Sequence, residues 1–357
     1  MIILFIDVLC LRGHKVFNSF TLSSLLELEQ FKVLFVGSRN CINDGQKVNY
    51  EIPEEYFLNI KDTNFMLKLK YRLLEFKKWL WILPLIKRIN PDLVILSSYE
   101  TITFSLFSNF VPSKVIAFNH NNIDELNNRI KRVFYKFISK KVIQVVFEDY
   151  MKEYLEREIR IKNKILILPH IVDKNRLIEE DSSITEKSDP LILFAPSSSN
   201  DRKVIKELIK KQEQLLEKGI YLIGKYYCNM QGRSLLLKEY FTDSEYEKFI
   251  KLCSGVYVPL PITFNYRVSN VINEAISYGK PVISHLNKYT LFLKERYSSL
   301  IYILNEDIIR ESQKIKRWLE NISSSFLEDR KNFLEEHSSA RFIELFKNFL
   351  EEEKLKL

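Results

Sequence analysis

The apolar runs of this chain do not alternate with polar residues, and that narrows the folds open to it. In the first half they are Ile2–Val8, Lys32–Gly37, Leu93–Ser98, Val115–Asn119, Val142–Phe147 and Ile165–Leu168. In the second half they are Leu191–Ala195, Tyr221–Gly224, Gly255–Pro259, Pro281–Ser284 and Ile301–Leu304. A strand with one face in water reads apolar, polar, apolar; a strand covered on both faces does not. Helical patterns fall between the runs, at Phe20–Gln30, Phe65–Ile89, Leu126–Ser139, Tyr150–Glu158, Arg202–Lys218, Asp243–Cys253 and Asn270–Tyr278. This βαβα rhythm predicts an α/β protein with two doubly wound parallel sheets.

A chain of 357 residues suits two domains, and 46% hydrophobic content fills two cores. The boundary is expected at Ile167-Leu168-Pro169-His170-Ile171-Val172-Asp173, where a strand ends in Pro-His. A polar stretch from Glu179 to Pro190 follows, and a new strand starts at Leu191. That gives domains of residues 1–172 and 173–335 and a C-terminal helix over 336–357. The tail carries an apolar stripe at Phe333, Leu334, Phe342, Leu345, Phe346 and Phe349, and at helical spacing such a stripe packs against something.

Cys10, Cys41, Cys228 and Cys253 are far apart, with no metal-binding or disulfide spacing. They read as free thiols of a reducing cytoplasm. The N-terminal MIILFID reads as a strand and not as a signal peptide. The longest apolar run near a helix, Trp79–Ile86, is too short for a membrane span.

The net charge of +8 is uneven. Residues 1–172 hold 25 Lys and Arg against 18 Asp and Glu, whereas residues 173–357 are nearly balanced. Residues 61–90 carry eight basic and two acidic side chains, interleaved with Phe65, Leu69, Leu73, Phe76, Trp79 and Trp81. A basic helix with apolar residues suits an anionic membrane surface. The same pattern also fits a core-packed helix with a solvated basic face. No nucleic-acid-binding motif accompanies the charge, so nucleic acid is not expected as a partner.

The segment Tyr266–Ile283 carries the most chemistry. Ser269 is a good N-cap for a short helix, Gly279 fits a left-handed C-cap, and Pro281 prevents the helix from continuing. The free N–H groups of such an opening turn attract phosphate. Glu274 lies in the second turn, where a carboxylate can accept from a sugar's vicinal hydroxyls. A phosphate cradle beside a hydroxyl-binding carboxylate is what a nucleotide-diphosphate sugar needs. An ordinary αβ unit of a parallel sheet would have the same outline.

Three stretches together resemble the glycosyltransferases of the GT-B fold, of the family 4 type or a close relative. Glu274-Ala275-x-x-x-Gly279-Lys280-Pro281-Val282-Ile283 is similar to the family's donor-site signature. Ile167–Asp173 is similar to its interdomain segment. Tyr240-Phe241-Thr242-Asp243 through Tyr246 to Val258-Pro259 follows its usual run before the donor loop. The resemblance is firm over residues 165–285 and loose before that. One departure stands out: many members carry a second glutamate eight positions earlier, where this chain has Tyr266, with Arg267 beside it.

The resemblance implies two Rossmann-like domains facing across a cleft, with the C-terminal helix packing back on the N-terminal one. It implies a metal-independent transfer, with a retaining course favoured over an inverting one. No cofactor is implied beyond a nucleotide-diphosphate sugar as co-substrate. The second domain would hold the donor through Arg202, Lys203, Lys225, Tyr240, Phe241, Thr242, Arg267, Ser269, Asn270, Val271 and Glu274. The first would hold a glycan or lipid-linked acceptor through Arg12, Gly13, His14 and Asn119, with His120 as acid/base group beside Glu274 as the other catalytic candidate. Synthesis of bacterial surface polysaccharide is the implied role. The implied location is the cytoplasm, with peripheral attachment to the inner face of the membrane through residues 61–90. Two other readings share the architecture, a nucleotide-sugar epimerase and a non-catalytic partner protein.

Overall fold

The computed structural model describes residues 1–9, 14–58, 65–172, 190–322 and 324–353. The chain divides into two compact units, Met1–Ile171 with His337–Leu357, and Val172–Glu336. Most of the polar stretch before Leu191 lies outside the described residues.

The first unit is built from β1 (Ile2–Asp7), α1 (Lys15–Leu26), β2 (Lys32–Gly37), β3 (Tyr50–Glu51), α2 (Phe65–Ile89), β4 (Leu93–Ser98), α3 (Thr101–Phe107), β5 (Lys114–Phe118), α4 (Arg129–Phe137), β6 (Val142–Val146), α5 (Asp149–Glu153) and β7 (Ile165–Ile167). Its sheet runs β3-β2-β1-β4-β5-β6-β7, with every pair parallel. β4 and β6 are buried at every position, as strands covered on both faces must be. β1 lies between β2 and β4, so the chain winds outward in both directions from it.

The second unit has β8 (Leu191–Ala195), α6 (Arg202–Lys210), α7 (Gln212–Glu217), β9 (Ile220–Lys225), β10 (Met230–Gln231), β11 (Leu235–Lys238), α8 (Asp243–Leu252), β12 (Gly255–Val258), α9 (Asn270–Ser277), β13 (Val282–His285), α10 (Lys288–Arg296), β14 (Ile301–Leu304), α11 (Ser312–Asn321) and α12 (Ser324–Glu336). Its sheet runs β10-β11-β9-β8-β12-β13-β14, parallel except for the β10–β11 hairpin. Here β8 is the strand from which the winding starts.

The chain ends in α13 (Ser339–Glu352), which packs on α1 of the first unit. Phe342, Phe346 and Phe349 are buried there. Ser339 meets Ser24 at 2.6 Å between hydroxyls, and Lys164 donates to Glu353 at 2.7 Å.

Local chemistry accounts for where elements depart from the sequence expectation. The helix expected over Leu126–Ser139 starts later, because the Asn128 carboxamide oxygen accepts from the Ile130 and Lys131 N–H groups and caps α4. The Arg202–Lys218 helix breaks at Lys211, whose φ of −101° and ψ of 23° leave the helical region. α3, α10, β3, β10 and β11 lie outside the segments expected from the sequence. Glu100 caps α3 by accepting from Thr103 N–H at 2.8 Å, a contact that overrides the β-branched character of Thr101, Ile102 and Thr103.

Candidate functional site

In a doubly wound sheet, ligands bind beyond the carboxyl ends of the strands where the winding reverses. In the second unit that place lies between β8 and β12. The loops leaving these two strands are joined there, with Asp201 N–H donating to Pro259 C=O at 2.6 Å. α9 starts from the loop after β12. Ser269 caps it, accepting from Ile272 N–H, and the remaining first-turn N–H groups are available to an anion. Gly279 closes the segment at φ 67°, a left-handed conformation that a side chain resists. Arg330 holds the far end of α9, donating to Ile276 C=O at 3.0 Å and Ser277 C=O at 2.8 Å, where a cation also suits the helix dipole.

Glu274 is half-buried on α9, and Tyr246 of α8 donates to its Oε2 at 2.9 Å. The phenol fixes one carboxylate oxygen and so orients the other. Position 266 is a buried tyrosine whose hydroxyl accepts from the Lys288 ammonium. Arg267 lies with its guanidinium 4.1 Å from the Phe264 ring centre.

The other donor-side candidates divide. Lys225 donates to the Ser198 hydroxyl at 3.1 Å, which ties the end of β9 to the loop after β8. Arg202 stacks 4.1 Å from the Tyr227 ring centre, just beyond β9. Lys203 is exposed on the first turn of α6. Tyr240 is exposed, and Thr242 caps α8 in a capping box with Glu245. Phe241 is a core residue, in ring contact with Phe194 at 5.4 Å and Phe249 at 5.7 Å, so only its backbone faces outward chemistry. Asn270 is exposed and Val271 half-buried on the first turn of α9.

In the first unit the winding reverses between β1 and β4, and a pocket of about 240 Å³ lies there. It is lined from the loops after β1, β4 and β5 and from α2 and α4. His14 and His120 stack at its edge, with ring centres 4.4 Å apart. Asp7, at the end of β1, is fully buried and lies 3.7 Å from His14 Nδ1. Burial would raise the Asp7 carboxyl. Its contacts with His14, Ser98 and Asn18 outweigh that and hold it below the usual carboxylate range. Burial, reinforced by His14 and His170, holds the His120 imidazole well below its ordinary value, so it is neutral. Its Nε2 is buried and has no hydrogen-bond partner among the described residues. The same burial that keeps this imidazole neutral makes it a weak base.

Arg72 pairs with Glu100 and Lys131 pairs with Glu125 at 2.7 Å, all four on the pocket wall. Asn119 is fully buried instead. Its carboxamide serves the interior, accepting from Tyr99 and Tyr135 and donating to Val145 C=O. Arg12 and Gly13 lie outside the described residues. No group of three or more His, Cys, Asp or Glu that could hold a metal occurs among the described residues.

Five site residues escaped the sequence reading: Asp7, Arg72, Glu100, Lys131 and Tyr246. Only two left a trace in the sequence. Asp7 is a lone acid closing an apolar strand, and a buried charge needs a partner. Tyr246 lies inside the run before the donor loop.

No family model and no curated sequence matches the chain. Solved structures do. Sucrose-phosphate synthase from Thermosynechococcus elongatus superposes with a TM-score of 0.65 at 12% identity, covering 99% of this chain and 98% of its own. The lipopolysaccharide outer core galactosyltransferase WaaB gives 0.59 at 12%, covering 99% and 100%. A Listeria monocytogenes protein assigned as a UDP-N-acetylglucosamine 2-epimerase gives 0.62 at 14%, covering 98% and 97%.

The chain has the GT-B fold.

Each unit therefore gathers candidate residues at its own winding reversal. One has a helix N-terminus and a tyrosine-held carboxylate; the other has a histidine-edged pocket. No helix among the described residues is long and apolar enough to cross a membrane.

Proposed function

We propose that the chain is a glycosyltransferase that moves a sugar from a nucleotide-diphosphate sugar to a glycan or lipid-linked acceptor, without a metal ion. The observation that carries this reading is the opening turn of α9 at the winding reversal, with Glu274 in the next turn held by Tyr246. A diphosphate lies against the α9 N–H groups, with Arg202, Lys203, Lys225 and Arg267 as the cations that neutralise it as the glycosidic bond breaks. Each such preorganised group contributes about 3 kcal/mol to the transition state. Glu274 accepts from the ribose hydroxyls. Tyr240 to Thr242 frame the base through their backbone.

The acceptor enters the pocket of the first unit. His120, which lines the pocket, is the acid/base candidate for the acceptor hydroxyl, and His14, set by Asp7, stands beside it. Tyr266 with Lys288 stands where the resembled family has its other glutamate, and the retaining course is carried over from that family. The likeness to the lipopolysaccharide galactosyltransferase supports an acceptor of the bacterial surface-glycan class, and the basic, apolar composition of residues 61–90 supports a site at the inner face of the membrane. The likeness to the epimerase supports a second reading, elimination and re-addition of the nucleotide on one sugar.

Thermal-shift measurements against UDP-, GDP-, ADP- and CMP-sugars test the donor site. A ligand at 100 times its dissociation constant stabilises by about 2.7 kcal/mol. One nucleotide class is expected to shift the parent and not Glu274→Ala. A shift that survives in the variant, or none with any donor, overturns the reading. Nuclear magnetic resonance of the product then separates transfer from epimerisation and reads the anomeric outcome.

A further inference from the structure

One face of the first unit is rich in exposed apolar side chains. Right-handed crossovers put α2, α3 and α4 on the same side of the sheet, because each leads to a strand further from β3. α3 packs against both neighbours, with Phe76 and Phe107 rings 4.7 Å apart. α1 runs the other way, lies on the opposite side, and is covered by α13.

The outer side of α2 is an apolar stripe at helical spacing: Met66, Leu69, Leu73, Phe76 and Leu80 are 42% to 69% exposed. α4 repeats the pattern with Ile130, Val133 and Phe137, at 51% to 67%. Leu106 and Phe110 are exposed on and just after α3. These ten are half of the twenty large apolar side chains exposed among the described residues. At roughly half exposure they present on the order of 700 Å² of apolar surface, above the few hundred that a monomer leaves in water.

The charges on this face have one sign. Glu75 is the only acid of α2, and it is buried against Lys78 at 2.7 Å. α4 has no acid, and Arg129 and Lys136 are exposed on it, followed by Lys140 and Lys141. A second copy of the chain docked here about a two-fold axis would set like charges against each other. An anionic bilayer meets both features, accepting apolar side chains below its headgroups and cations among them.

The geometry points to α2, α3 and α4 as one membrane-inserting face that binds anionic lipid by burying its apolar stripes among the acyl chains. Insertion is what distinguishes it from electrostatic docking through residues 61–90 alone. The pocket opens beside this face, since Tyr71 and Arg72 on α2 and Lys131 on α4 line it. A lipid-linked acceptor would present its head to His120 with its tail still in the bilayer. That last step rests on the proposed transferase activity; the insertion itself does not.

The test uses the full chain and sedimentation with vesicles of phosphatidylcholine alone or with phosphatidylglycerol. The parent is expected to partition onto the anionic vesicles, and Leu73→Glu with Val133→Glu to lose at least tenfold in partitioning with an unchanged melting temperature. The emission that Leu73→Trp adds to the parent's three tryptophans is expected to shift to the blue on binding and to be quenched by lipids brominated in the acyl chain. A parent that stays in solution, variants that partition like the parent, a tryptophan that stays in water, or a dimer that hides the face overturns the inference. Nucleotide-sugar thermal shifts on the same variants keep the two readings apart. Vesicle binding without any donor shift sinks the transferase and leaves insertion standing, and the opposite result does the reverse.

Discussion

Removing the Tyr246 hydroxyl tests the donor site at a single bond. In Tyr246→Phe the 2.9 Å contact to Glu274 Oε2 is lost and the ring stays. A hydrogen bond to a charged group is worth about 1.5–3 kcal/mol. Both partners are half-buried, which argues for the lower end. A loss of about 1.5 kcal/mol weakens nucleoside diphosphate binding about tenfold. Glu274→Gln keeps the size of the side chain, removes the charge, and should cost at least as much. Because the phenol acts through the carboxylate, the two losses should not add. In the Glu274→Gln background, Tyr246→Phe should cost well under its single-variant value, a coupling of about 1 kcal/mol. Titration calorimetry with the preferred nucleoside diphosphate reads all four corners, and melting temperatures check that each variant is folded. Additive losses would refute the idea that Tyr246 orients Glu274. Four equal affinities would remove Glu274 from the ribose altogether.

Other substitutions probe separate parts of the same account. Ser269→Ala deletes the cap of α9 and should lower stability by about 1 kcal/mol, read by urea denaturation, while weakening donor binding as the opening turn frays. Arg202→Ala and Lys225→Ala should each slow turnover by about two to three orders of magnitude with little effect on melting temperature; normal turnover would make them surface charge. His170 is buried, and burial, with the charges of His337 and His14, pushes its imidazole down to about 3. Below its ordinary value of 6.5 the unfolded chain takes up a proton that the folded chain refuses, so this group withdraws stability as pH falls from about 6.5 towards 3. Between pH 6.5 and 5 the parent should therefore lose up to about 2 kcal/mol more than His170→Gln, and parallel denaturation curves across that range would refute the assignment.

The order of elements was legible because it rests on local signals. Unalternating apolar runs mark strands covered on both faces, and every expected strand appears within a residue or two. The cap at Ser269 and the left-handed Gly279 could be read because each depends on neighbours within a few positions. β11 could not, since Leu235–Leu237 followed by Lys238 is too short to carry a period. The first unit's pocket was legible only in part, since His14 and His120 were expected on the acceptor side but their contact and the charged wall were not. Its charged wall pairs Arg72 with Glu100, and its histidine edge sets His14 on His120, partners that only the parallel register brings together.

The α2 segment shows how burial changes the meaning of a composition. In sequence it is a basic stretch with one acid and many apolar residues, equally suited to a core helix and to a membrane surface. Folding sorts these residues by side. Trp79, Ile82 and Ile86 go into the core, and Glu75 goes with them, neutralised by Lys78, whose ammonium also donates to Val8 C=O at 2.8 Å. Burial raises the Glu75 carboxyl, and Lys78 pulls it back, so keeping that acid inside has an electrostatic cost. The consequence lies on the opposite side. With its only acid turned inward, the outer surface of α2 keeps apolar side chains and positive charge and nothing to repel an anionic headgroup. The core reading holds for one face of this helix; the other face is the one proposed to meet the membrane.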